Sequence, residues 1–246
     1  MSLSGKDSSS QKELVVVTGF GPFRQHLVNA SWEAAKGLKR AGLGEGTDID
    51  IAEIPVSYAK ARQALVEIWQ RMKPKVAVHL GIAPGARCII LEQTAKNHGY
   101  KDRDVCGSCP ANNCCIEGGA EWLDSIIDMR SLAKHLKGLS LDVIYSRDAG
   151  RYLCEFVYYC SLQYGQRRAV FVHVPASGSL ARSDTLVPQL QIIVQTLLHQ
   201  LDTQHLRENQ TARAEECTTS WDSSGAINNV HKETRSQDPH ESHSLF

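Results

Sequence analysis

The sequence predicts an α/β fold, a single domain in which a mostly parallel central sheet carries helices on both faces in three α/β/α layers. Three observations lead there. Short β-branched apolar runs such as Leu14–Thr18, L-V-V-V-T, have the pattern of strands buried on both faces. Segments with helical spacing of apolar residues separate them. The chain has 246 residues, 42% of them hydrophobic, enough to bury one full core.

The elements follow in order. Gly19 ends the first run, and G-F-G-P-F forms a turn. Asn29 is placed to cap a helix carrying Trp32, Ala35 and Leu38, closed by Gly42 and Gly44. A strand is predicted over Ile49–Ile54, a helix over Tyr58–Met72 stopped by Pro74, and a strand over Val76–Ile82. Further strands are predicted at Leu141–Ser146 and Ala169–Val174, with helices at Met129–Lys137, Arg151–Leu162 and Thr185–Leu206. Asn97–Gly119, rich in Gly and Cys, is too irregular for a regular element. The domain is therefore expected over 13–206, with disordered tails at 1–12 and 207–246, the second polar and aperiodic.

Charge narrows the partners. Lys plus Arg and Asp plus Glu both count 27, so no basic surplus is available to neutralise a nucleic acid backbone or an anionic membrane. The chain contains no signal-like leader and no apolar run of membrane length, from which a cytoplasmic location is expected. The eight cysteines are then expected as free thiols, metal ligands or catalytic groups. Asn29-Ala30-Ser31 and Asn209-Gln210-Thr211 match the glycosylation pattern, which has no reader in that compartment.

Candidate chemistry centres on S-R-D-A-G-R-Y-L-C, Ser146–Cys154. Cys154 follows an Ala-Gly break between a strand and a helix, where the first backbone N–H groups and the helix dipole favour a thiolate. A cysteine in Y-L-C-E-F-V-Y-Y also suits a core position, so packing and nucleophilic readings both stand on these residues. His173, in F-V-H-V-P at the end of the next strand, is placed to act as base if the two strands are neighbours. Glu92, in C-I-I-L-E-Q, would orient the imidazole. Cys106, Cys109, Cys114 and Cys115 invite a zinc site, but the adjacent Cys114-Cys115 pair suits tetrahedral ligation poorly, and no metal or cofactor is expected. His79 reads as a hydrogen-bonded core residue.

Together these segments resemble the pyroglutamyl-peptidase I, or pyrrolidone-carboxylate peptidase, family of cysteine peptidases. The resemblance runs from about Leu14 to Leu201 and rests on V-T-G-F-G-P-F with V-N-A-S-W, G-I-A-P-G-A-R-C-I-I-L-E-Q-T-A-K-N, S-R-D-A-G-R-Y-L-C-E-F-V-Y-Y and the later H-V-P. It implies an α/β/α domain that removes N-terminal pyroglutamate from peptides, with Cys154 as nucleophile, His173 as base and Glu92 as acidic partner. It further implies that Phe20 and Phe23 clasp the lactam ring. The Cys-rich loop resembles that of vertebrate members, which weakens the zinc reading.

Four departures from the family pattern are visible. Arg24 replaces a glycine beside the expected ring pocket, Ile90 replaces a Ser or Thr, and Gln93-Thr94 replace a basic and a small apolar residue. The strand before Cys154 also looks two residues short, which keeps its facing but shifts its connections and predicts a displaced thiol. A catalytically impaired relative that binds or regulates on the same scaffold is the rival expectation.

Overall fold

The computed structural model describes residues 12–23 and 27–222. The expected N-terminal tail, apart from Lys12, lies outside these residues, as do Arg24 and 223–246. The chain divides into two units at Leu201/Asp202, and the sheet with its covering helices belongs to the first.

The order of elements is β1 (Glu13–Phe20), α1 (Ala30–Ala41), β2 (Thr47–Ile54), α2 (Tyr58–Glu67), a π-helical turn (Ile68–Met72), β3 (Val76–Ala83), β4 (Ile89–Glu92) and β5 (Thr94–Lys96). There follow a short 3-10 turn (Ala111–Asn113), β6 (Trp122–Asp124), α3 (Met129–Gly138), β7 (Val143–Ser146), α4 (Leu153–Tyr164), β8 (Ala169–Pro175), another short 3-10 turn (Ser179–Ala181) and α5 (Ser183–Asp222). The main sheet runs β2-β1-β3-β8-β4-β7. β2, β1, β3 and β8 are parallel, whereas β4 is antiparallel to β8 and parallel to β7.

Period-two alternation divides the core into two layers. Val15 and Val17, Val76, Val78 and Leu80, and Val170, Val172 and Val174 pack with α1, α3 and the part of α5 up to Leu201. Val16 and Phe20, Ala77, and Ala169 and Phe171 pack on the other side with α2 and α4. The expected α/β/α layering is observed.

Local chemistry explains the ends. Asn29 Oδ1 accepts from the Ser31 N–H at 3.1 Å, capping α1, an interaction usually worth about 1 kcal/mol. The same side chain is buried and donates to the Gly21 carbonyl, so this glycosylation-pattern asparagine serves the fold. Gly19 is required by close approach: a Cβ there would lie 2.5 Å from the Ser31 carbonyl oxygen. His79 is fully buried, bonded by Thr18 Oγ1 at 2.8 Å and Ser161 Oγ at 2.7 Å, and burial lowers its pKa to about 3. It is a neutral core histidine, as expected.

Three expectations change. β4 lies between β7 and β8, so the strands preceding Cys154 and carrying His173 are not neighbours. β5 and β6 form a separate two-stranded antiparallel sheet, invisible in the sequence because three residues are too few for a periodic signal. α5 continues through Asp222, past its expected end near Leu206 and into the segment expected to be a disordered tail. Polar good helix formers such as Arg207 satisfy helix propensity without the apolar stripe that periodicity detects.

Candidate active site

The alternation that builds the core also selects the residues of the site. Phe20 on β1, Gly81 on β3 and His173 on β8 continue the set that faces α2 and α4. Ile89 and Leu91 face the opposite layer, which turns Ile90 and Glu92 of β4 toward α4. Ile90 pairs with His173 across the ladder, and Glu92 pairs with Phe171. A carboxylate thus stands on the strand beside the imidazole.

The contact follows from that register. Glu92 Oε1 lies 2.9 Å from His173 Nδ1, with Glu92 only 1% exposed. Its Oε2 is buried without a hydrogen-bond partner. Cys154 Sγ lies against Gly81, the residue paired with His173 across the β3–β8 ladder, close enough to act on the imidazole from the side away from Glu92. Burial pulls the His173 pKa down, but its bonds to Cys154 and Glu92 outweigh this and carry it up to about 10. Cys154, His173 and Glu92 are therefore brought together, with His173 hydrogen-bonded to Glu92 and the thiol nearby.

Cys154 is the second residue of α4, where backbone N–H groups have no intrahelical acceptor. Gly150, at φ 93°, makes the preceding turn in a conformation that few side chains adopt. The thiol is seated against Gly81: a Cβ there would lie 2.9 Å from Cys154 Sγ and 2.7 Å from Phe171 Cζ. One helical turn on, Tyr158 O–H donates to the carbonyls of Glu92 at 2.8 Å and Gln93 at 3.1 Å. These bonds lock the helix bearing the thiol to the strand bearing the carboxylate.

The thiol opens onto a cavity of about 490 Å³. Phe20 and Phe23 both line it, and so do Tyr152, Ile82, Pro84 and Ala176. Phe23 and Tyr152 are 5.6 Å apart between ring centroids. Sequence reasoning missed Tyr152, Gly81 and Tyr158. Tyr152 and Tyr158 were within reach from their spacing to Cys154, whereas only the sheet register places Gly81 beneath the thiol.

Two of the departures noted in the sequence, Gln93 and Thr94, lead elsewhere. Gln93 donates to the carbonyls of Ser125 and Ile127 and accepts from the Met129 N–H, pinning the approach to α3. Thr94 Oγ1 donates to Asp124 Oδ1. Both bond away from the thiol. Of the cysteine-rich loop, Cys114 and Cys115 are buried while Cys106 is exposed, and no cluster suited to a metal ion occurs among the described residues. No helix among the described residues is long and apolar enough to cross a membrane.

A layered α/β domain in which a thiol lining an apolar cavity is backed by a buried imidazole–carboxylate pair belongs to the class of cysteine hydrolases. The family model described as pyroglutamyl peptidase matches residues 13–204, and the chain belongs to this family. Pyroglutamyl-peptidase 1 of Mus musculus is 44% identical over 193 residues, covering 78% of this chain and 92% of that protein. The pyroglutamyl-peptidase 1-like protein of Homo sapiens is 36% identical over 166 residues, covering 67% and 85%. Among solved structures, the pyrrolidone carboxyl peptidase of Fervidobacterium islandicum AW-1 superposes with a TM-score of 0.68 at 28% identity, covering 76% of this chain and 99% of that one.

Proposed function

We propose that the protein hydrolyses the bond after an N-terminal pyroglutamyl residue, with Cys154 as nucleophile, His173 as general acid and base, and Glu92 as the group that orients His173. The observation that carries this reading is the grouping of Cys154 with the hydrogen-bonded pair His173 and Glu92, the thiol lining a cavity walled by Phe20 and Phe23. Cys154 Sγ attacks the pyroglutamyl carbonyl carbon while first-turn N–H groups of α4 hold the developing oxyanion. The C–N bond breaks as His173 protonates the leaving amine, giving a thioester. Water, deprotonated by His173, then attacks the thioester and releases pyroglutamate and the thiol.

The lactam ring is flat and uncharged, so aromatic faces and backbone hydrogen bonds suffice to recognise it. A cytoplasmic location belongs to this same reading. The test is release of aminomethylcoumarin from pyroglutamyl- and prolyl-aminomethylcoumarin under reducing conditions. Release from the first substrate alone is expected. No release by folded protein would overturn the assignment.

Gly81→Ala should lower kcat about a hundredfold with KM little changed, because a methyl group in the seat of Sγ shifts the reacting atom by a fraction of an ångström to an ångström. Steady-state kinetics on the same substrate reads the split, and an unchanged kcat would show that the seat is immaterial.

A further inference from the structure

Two charged residues flank the thiol at Cys154: Arg151 before the helix and Glu155 within its first turn. Glu155 has no exposed surface although it is a carboxylate on the residue next to the candidate nucleophile. Such a group is held only where its charge and hydrogen bonds are answered. Its Oε2 takes an Arg151 Nη1 hydrogen bond at 2.8 Å, and its Oε1 takes the Lys96 backbone N–H at 3.2 Å. Arg151 Nη1 also bonds Asp148 Oδ1 at 2.7 Å and the Gly150 carbonyl, closing the turn that leads into α4. The mechanism above uses none of these groups.

Lys96 ends β5, and β5 begins two residues after Glu92. The buried carboxylate therefore bridges the turn that carries the thiol to the segment that carries the acid. Tyr158 fastens the second turn of α4 to the same place, and Glu155 fastens the first.

We propose that Glu155, paired with Arg151, is a positioning residue that holds the Cys154 turn against the β4–β5 segment and so sets the spacing of thiol and imidazole. This rests on the catalytic reading of Cys154 and His173 given above. Burial carries the Glu155 pKa from 4.5 to about 7, against the opposing pull of Arg151. The clamp is thus a charged pair above about pH 7 and loses its charge below. The groups facing Glu155 are Arg151 and Asp148 from the turn, Lys96 from β5, and Tyr100 and Cys115 from the following loop. Lys96 Nζ lies 3.6 Å from Asp148, so those two balance each other, and Tyr100 O–H stands 3.5 Å from Glu155 Oε2.

The experiment compares the native chain, Glu155→Gln and Arg151→Gln between pH 5 and 9. One readout is kcat/KM on pyroglutamyl-aminomethylcoumarin, and the other is the iodoacetamide alkylation rate of the Cys154 peptide, followed by mass spectrometry. The native protein should lose rate about tenfold per pH unit below 7 in both readouts. Glu155→Gln should remove that limb and lower the plateau about ten- to a hundredfold. Arg151→Gln leaves the buried carboxyl without its cation and should move the limb to higher pH. Arg151→Gln also decides the matter if Glu155→Gln does not fold.

A Glu155→Gln profile that superposes on the native one, or an unmoved limb in Arg151→Gln, overturns the proposal. If no peptidase activity is found but alkylation follows the predicted shifts, the clamp stands and the substrate assignment fails. If activity is present and the limbs do not move, the substrate assignment stands and the clamp fails.

Discussion

Cys154→Ala is expected to reduce release from a pyroglutamyl substrate by at least about 10⁴-fold while leaving the fold intact. The magnitude follows because the thiol would form the covalent intermediate, and His79 cannot replace it, being buried in a closed network with Thr18 and Ser161. The fold should persist because Cys154 is only half-buried and the hydrogen bonds of Tyr158 and Glu155 still anchor α4. Burst and steady-state kinetics with a circular dichroism spectrum settle both halves. Appreciable turnover by a folded variant would move the nucleophile elsewhere.

Glu92→Gln should cost about 10³- to 10⁴-fold in kcat. The carboxylate accepts the His173 Nδ1–H and so fixes the tautomer whose Nε2 faces the thiol. An amide of the same size can present its NH₂ group instead, which would favour the wrong tautomer. The charge also matters. Burial alone would push the His173 pKa down, and the bonds to Cys154 and Glu92 lift it to about 10. Without the negative charge the imidazolium loses its proton at lower pH, so the basic limb of the rate profile should move down. Because the folded pKa lies above the ordinary 6.5, this pair stabilises the fold fully below about pH 6.5 and progressively less as pH rises through about 10. Glu92→Gln should flatten that dependence in thermal melts between pH 6 and 10. An unaltered rate and basic limb would show that Glu92 neither orients nor charges the ring.

Much of the site was legible because it uses local signals. The Ala-Gly break before Cys154, the apolar run into His173 and the run into Glu92 are each set by a few neighbouring residues. Strand order was not legible: the strands next to Cys154 and His173 are not adjacent, because β4 separates them and supplies Glu92 from between. β4 and β7 run opposite to β8, and strand order and direction depend on hydrogen bonds between residues far apart in the chain, which no periodicity records. The direction taken by Gln93 has the same origin. A residue beside Glu92 in sequence points to the other face of a strand, and Gln93 spends its hydrogen bonds on the 125–129 segment.

The amino-acid order by itself determined the alternation of strands and helices, the placement of Cys154 at a helix start and the aromatic turn carrying Phe20 and Phe23. Those features depend on hydrophobic period, turn chemistry and capping, which act over a few residues. Tertiary structure alone decided that Gly81 leaves a seat for Sγ, that Tyr158 ties α4 to Glu92, and that Glu155 is buried against Lys96. Each of these is a contact between segments brought side by side by sheet order and layer packing, and such proximity exists only once the chain has closed on itself.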